Sequence, residues 1–315
     1  MLNNSYLPEG YLMSTFSNAE YLSGLNMIEK AMTDGAIIEA PVIRCDSNFT
    51  LTVDLGNYYG YIDREEVLLS NDGESIKDIA VITRVGKPVC FKVTSIDRGE
   101  SGEPVIRLSR RAAQKEYLDN QLSKLNPGDI IPAKVTHLEQ FGAFVDIGCG
   151  IISLLSIDSI SVSRISHPRD RFSVGSQIYC IVKRNEDSGK RIYVTHKELL
   201  GTWEENATLF SIGQTVTGIV RSIEDYGIFV ELSPNLAGLA EYKEGIVVGQ
   251  SAAVFIKNII PERMKIKLVI IDTYQSSRID KYPPFKYFVD IKDKHMDSWI
   301  YSPHNSIKTI ETIFG

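Results

Sequence analysis

Paired cysteine, clustered histidine, long apolar runs and an excess of positive charge are all missing from this chain, and each absence removes a class of chemistry. The four cysteines, Cys45, Cys90, Cys149 and Cys180, form no C-x-x-C pair. The opening MLNNSYLPEGYLM has no basic stretch followed by an apolar one. Together these features exclude a disulfide framework and point to a cytoplasmic chain with reduced thiols. The five histidines, His137, His167, His196, His295 and His304, make no H-x-x-x-H pair and flank no cysteine ligands, so no metal is expected. Apolar runs stay short of the ~18 residues a membrane helix needs. GCG at 148–150 lacks the third glycine and the helix of a dinucleotide fingerprint, and there is no lysine-bearing phosphate loop. The spacing suggests no Ser–His–Asp or Cys–His set. Neither an enzyme nor a cofactor is therefore expected. Lys and Arg number 34 against 40 Asp and Glu, a net charge of −6 that argues weakly against a general polyanion binder.

What the sequence does contain is repetition. THLEQFGAFVDIG at 136–148 returns as RSIEDYGIFVELS at 221–233. The longer segments that hold them open at Gly128 and Gly213, an offset of 85 that persists through Phe141 and Tyr226, Phe144 and Phe229, Asp146 and Glu231, and Leu154 and Leu239. Beyond it Gly175 aligns with Gly249, an offset of 74, so the later copy has lost 11 residues. A more degenerate copy comes first, with Gly86 in the place of Gly175. At 315 residues the chain is about two or three domains long, and it reads as three units in tandem.

Within the middle unit, short runs rich in Val, Ile and aromatics lie at 130–138, 143–147, 151–155, 177–184 and 191–195, bounded by Gly, Asp, Asn or Ser. Five strands in about 70 residues suit a small closed barrel of the oligonucleotide-binding type. The fold class is thus mainly β: three five-stranded barrels at 34–110, 127–196 and 212–272 joined by linker helices at 111–126 and 197–211. Ser17 and Glu20 stand in capping-box spacing and open a helical segment within 1–33. The end of the chain, 273–315, reads as a small α/β extension with Trp299 and Tyr301 in its core. Asp146 and Glu231, just past the apolar strand cores, read as solvated strand ends.

The ordered set of an apolar strand, FGAFVDIG and VGSQIYCIVKRNEDSGKRIYVT, in three copies over about 34–272, resembles the S1 RNA-binding motif of the ribosomal protein S1 family. In that family aromatics of the second strand, a histidine of the third, and basic or polar groups of the first and last strands face the RNA. The resemblance then implies Phe141, Phe144, Arg191, Lys134 and His137 in the middle unit, with Ser156 in the histidine's place. It implies Arg221, Tyr226, Phe229 and Lys265 in the third unit, with Glu241 in that place. The first keeps Phe49, with Thr52 for the second aromatic and Asp63 for the histidine, so half its platform is missing. In a regular strand Phe141 and Phe144, three apart, point to opposite faces; Gly142 permits a bulge that turns both rings outward. The other reading leaves one ring in the core.

Charge is uneven along the chain. Residues 126–200 hold nine Lys and Arg against eight Asp and Glu, whereas 34–125 and 201–272 each carry a net of −3. Phosphate attraction is screened within about 10 Å, so the local balance matters most. Two stacked bases with two or three phosphate contacts amount to about 4–6 kcal/mol, a millimolar to sub-millimolar site that a second linked barrel strengthens. The resemblance implies single-stranded RNA, mRNA in particular, as partner, in translation. The first barrel or the N-terminal helix would dock on the small ribosomal subunit. A protein-interaction scaffold with degenerate barrels is the alternative, and so is an accessory factor presenting RNA to a transcription or processing enzyme.

Overall fold

The computed structural model describes residues 6–70, 75–275 and 286–315. The YPPF at 282–285, where the sequence reading places the first part of the tail, lies outside them. Two helices come first, α1 (Phe16–Tyr21) and α2 (Leu25–Asp34). The cap of α1 is Thr15, whose hydroxyl accepts the Asn18 N–H, and not Ser17, which lies inside α1. The helical segment is broken at Gly24 and ends at Gly35, where φ of 63° suits a residue with no Cβ.

Three closed five-stranded barrels follow. The first contains β1 (Ile38–Cys45), β2 (Leu51–Asp54), β3 (Tyr59–Ile62), then helix α3 (Asp78–Ile82), β4 (Pro88–Arg98) and β5 (Pro104–Ser109). Helix α4 (Arg110–Asn120) leads into β6 (Ile130–Glu139), β7 (Gly142–Asp146), β8 (Ile152–Ser156), β9 (Gln177–Glu186) and β10 (Arg191–Thr195). Helix α5 (Trp203–Ala207) precedes β11 (Thr215–Glu224), β12 (Gly227–Ser233), β13 (Leu236–Ala240), β14 (Ser251–Ile260) and β15 (Lys265–Tyr274). In every barrel the third and fifth strands pair in parallel, and all other neighbours are antiparallel.

Alternation decides what is inside. Ala133 and Val135 of β6, Ala143 and Val145 of β7, Leu155 of β8 and Val182 of β9 are buried, with the residues between them facing out. Each fully buried Val or Leu stabilises by roughly 1.5–3 kcal/mol, and each barrel has its own apolar cluster. The first-to-second strand ladder slips by one residue at the same place in all three, between Val42 and Arg44, Val135 and His137, and Val220 and Ser222. This bulge, one residue longer on the first strand, sharpens the local twist that closes a small barrel.

The connection between third and fourth strands spans 157–176 in the middle barrel and only 241–250 in the third. The linkers differ from each other as well. Ser109 caps α4 by accepting the Ala112 N–H, and Arg110, Ala113, Gln114 and Tyr117 are buried. The second linker is no single helix: a 3-10 turn at Lys197–Leu200 stops at Gly201, and Thr202 with Glu205 forms a capping box for α5. Gly201 has φ of 84°, and a Cβ there would lie 2.6 Å from the Phe288 ring. The chain ends in a hairpin, β16 (Ser298–Ile300) and β17 (Glu311–Ile313), preceded by a 3-10 turn at Ile291–Asp293. Trp299 and Tyr301 are buried, and the Tyr301 hydroxyl donates to the Asn235 carbonyl at 2.6 Å. Among the described residues no helix is long and apolar enough to cross a membrane.

Candidate nucleic-acid interface

Gln140 and Phe141 form the two-residue turn between β6 and β7, where Glu139 pairs with Gly142. Outside the ladder, Phe141 is free of strand alternation. Its ring, 55% exposed, meets that of Phe144 at 6.0 Å between centroids and 89° between planes. Both rings therefore stand on the outer face, but not through a bulge at Gly142. The bulge is in β6, and β7 pairs regularly with β8 from Gly142 to Asp146. Gly142 serves a different end: a Cβ on it would lie 2.5 Å from the Leu155 carbonyl oxygen, so glycine lets β8 close against the turn. Gly227 repeats this, 2.4 Å from the Ala240 carbonyl oxygen.

His137 lies across from Phe144, ring centroids 6.3 Å apart, with Nε2 2.7 Å from a Glu139 carboxylate oxygen. Ser156 pairs with Gly142, and its hydroxyl donates to Ser159 Oγ at 2.9 Å. Arg191 is exposed at the start of β10, its Nε 3.3 Å from the Asp187 carboxylate.

Strand register extends this face beyond what the repeated phrase shows. His137 pairs with Phe144, Phe144 with Leu154, Leu154 with Tyr193 and Tyr193 with Arg184, one row of outward side chains across β6, β7, β8, β10 and β9. The exposed Arg184 guanidinium lies over the Tyr193 ring at 4.8 Å. Leu154, Tyr193 and Arg184 escape sequence reading because only cross-strand pairing puts them in the row. The other barrels have the same row: Ser222, Phe229, Leu239, Lys267 and Asn258 in the third, and Arg44, Thr52, Tyr61, Arg107 and Ser95 in the first.

In the third barrel Tyr226, 69% exposed, and Phe229 repeat the perpendicular pair at 6.1 Å and 88°. Lys265 and Glu241 are exposed beside the ends of β15 and β13. The first barrel is built differently. Phe49 has φ of 62° and carries the Arg64 guanidinium 4.5 Å above its ring, and Asp63 pairs with Arg107 at 3.1 Å. Thr52 is buried.

Two of the named cations are elsewhere. Lys134 Nζ donates to the Glu9 carbonyl at 2.7 Å, under the N-terminal segment. Arg221 occupies the bulge of β11 and is nearly buried, with Nε 2.8 Å from Glu231 and a terminal nitrogen 3.3 Å from Asp170.

Asp146 and Glu231 are not solvated strand ends: both are buried, 2% and 3% exposed. Each receives groups from the preceding unit. Asp146 accepts the Glu9 N–H at 2.7 Å, and the Gly148 and Gly150 N–H at 2.8 and 3.0 Å. Beside it Arg110 clasps Glu9 at 2.6 and 3.1 Å. Burial alone would raise the Glu9 carboxyl, but Arg110 and Arg84 hold it below the ordinary range, while burial and the Glu9 charge push Asp146 up to about 7. Glu231 accepts from Arg171 at 2.5 Å, and Asn235 donates to the Lys197 and Gly201 carbonyls at 2.8 and 2.9 Å. These contacts gather at the end of β7 and β12 remote from Phe141 and Tyr226, so the joints between units leave both aromatic pairs uncovered.

Residues 124–197 match the family model described as S1 RNA binding domain. Small ribosomal subunit protein bS1 of Rickettsia conorii is 32% identical over 198 residues, 61% of this chain and 33% of the relative. The protein of the same name from Staphylococcus aureus is 31% identical over 222 residues, 69% of this chain and 54% of the relative. The chain thus spans a third to about half the length of these relatives. Among solved structures, a Streptococcus pneumoniae multidomain protein with nucleic acid binding domains shares 15% identity, with TM-score 0.25, over 76% of this chain and 74% of that one. The middle barrel of this chain matches the S1 RNA binding domain, and about two thirds of the chain is similar to bacterial small ribosomal subunit protein bS1.

Proposed function

We propose that this chain binds single-stranded RNA without catalysis, the middle barrel making most of the contact and the third assisting. The observation that carries the reading is the uncovered pair of Phe144, in the row from His137 to Arg184, and Phe141, in the turn beside it, within the residues matched as an S1 domain. Two perpendicular rings offer one face for a base to stack on and an edge to hold it. His137 beside Phe144, Arg184 at the far end of the row and the exposed Arg191 suit phosphate and sugar contacts, which fix register without reading sequence. The bS1 relatives named above are ribosomal proteins.

Fluorescence anisotropy with a labelled unstructured oligonucleotide tests this. Phe141→Ala with Phe144→Ala is expected to lower affinity about 10- to 100-fold, since each stacked base contributes roughly 1–3 kcal/mol. Unchanged affinity and salt dependence would sink the reading.

The similarity to bS1 supports a further assignment, to mRNA in the cytoplasm at the small ribosomal subunit. The first barrel and α1 would form the docking side, where Phe16 is 84% exposed. Co-sedimentation with small subunits, lost in Phe16→Ser, checks it. Full co-sedimentation of that variant would move the docking elsewhere.

A further inference from the structure

The N-terminal segment, α4, the start of β6 and the segment 287–294 converge on a cavity of about 850 Å³ that plays no part in the aromatic face. Ile131 and Pro132 line it, and Pro132 stands five residues along β6 from His137, or about 17 Å. Its volume is in the range of small-ligand sites.

The chemistry of the lining is particular. Five tyrosines, Tyr6, Tyr11, Tyr117, Tyr179 and Tyr287, surround an apolar floor. Four have their hydroxyls tied to the protein: Tyr6 to Glu116, Tyr11 to the Ala133 carbonyl, Tyr117 to the Ile147 carbonyl, and Tyr287 accepting the Tyr179 N–H. Those rings are therefore held in place before any ligand arrives. Tyr179 differs: its ring is 36% exposed, and among the described residues its hydroxyl has no partner. At the mouth stand Lys292 and Lys294, both exposed and in no ion pair among the described residues. The one carboxylate there, Asp290, accepts the Lys292 N–H and so is engaged in its own turn.

Fixed aromatic walls, one free phenol and two ammonium groups at the rim match a flat heteroaromatic ring bearing an anionic group. We propose that the cavity binds a nucleoside phosphate, the base among the tyrosines with Tyr179 bonding a ring heteroatom, and the phosphate at Lys292 and Lys294. An apolar ligand would leave both lysines unused, and a bare anion would leave the tyrosines unused. The nucleotide can be free or the phosphorylated end of an RNA.

Saturation-transfer NMR and calorimetry on the intact chain, with adenosine 5′-monophosphate, adenosine and ribose 5-phosphate as probes, test the proposal. The monophosphate is expected to bind at least about tenfold tighter than either fragment. Lys292→Ala with Lys294→Ala is expected to erase most of that advantage, and Tyr179→Ala to weaken both base-containing probes. Phe141→Ala with Phe144→Ala leaves the titration unchanged, which separates this site from the RNA face. If the natural source is an RNA end, a 5′-phosphorylated oligonucleotide binds tighter than its dephosphorylated form, and the lysine variant removes the difference. If the source is a free nucleotide, the two oligonucleotides bind alike. Adenosine binding as well as the monophosphate, or no saturation by any probe, overturns the proposal.

Discussion

At the scale of single residues, glycine and histidine have roles that differ from their first appearance. Gly142 and Gly227 look like kinks in a strand, but each marks the place where a neighbouring strand comes too close for a Cβ. Gly142→Ala is accordingly expected to lower stability by roughly 1–3 kcal/mol through overpacking, measured as a lower denaturation midpoint. Gly227→Ala adds strain from φ of 148°. His196 is fully buried between the Ile160 carbonyl, 3.0 Å from Nδ1, and the Tyr287 hydroxyl, 3.4 Å from Nε2. Burial pushes its pKa down to about 4 from an ordinary 6.5. The unfolded chain then binds the proton more readily, so the contribution of neutral His196 is complete above pH 6.5 and is lost as pH falls toward 4. Chemical denaturation across that range is expected to show wild type losing on the order of 2–3 kcal/mol more than His196→Gln. Asp146 and Glu39, both raised to about 7 chiefly by burial, act in the opposite sense, contributing most at low pH and less as pH rises through 7. The comparison with the variant cancels them.

Elements, more than single residues, make the proposed RNA face. A row of five outward side chains requires five strands in register, and its members lie as far apart in sequence as His137 and Tyr193. The first barrel shows the consequence. Its repeated phrase is eroded at Thr52, yet register places Arg44, Tyr61 and Arg107 in the same row, with Arg107 5.9 Å over Tyr61. Arg184→Ala, which removes one exposed cation from the middle row, is expected to reduce the salt slope of RNA binding by about 0.7, the signature of one phosphate contact on a single strand. Arg44→Ala is expected to have a smaller effect, because the acidic first barrel attracts phosphate weakly. Anisotropy titrations at several salt concentrations measure both.

On the scale of the whole molecule, buried charge joins the units. Glu9 with Arg110 links the N-terminal segment and α4 to the middle barrel, and Arg171 with Glu231 links the middle barrel to the third. Removing one partner of such a pair leaves an uncompensated charge out of water, which costs about 3–5 kcal/mol. Arg110→Met is therefore expected to destabilise the first two barrels together, seen as a shift of one shared transition in denaturant. Separate transitions for the two barrels in the wild type would contradict that coupling. The 157–176 connection, longer than its counterpart in the third barrel, supplies Asp170 and Arg171 to the second joint, so it has a structural role.

The order and number of strands, the three-unit plan and the aromatic phrase were legible in the sequence, because period-two alternation and turn residues are local properties of the chain. The break at Gly201 and the true place of the bulge were not, since each depends on a partner on another element, whereas the first helix cap is local and lies at Thr15, two residues before the Ser17 that the spacing suggested. Nor was the burial of Asp146 and Glu231: a carboxylate after a strand reads as solvated until tertiary structure brings backbone N–H groups or arginines to it. Which side chains share the proposed RNA face was likewise decided only by register, because the pairing of strands far apart in the chain is a property of the closed barrel and not of any one segment.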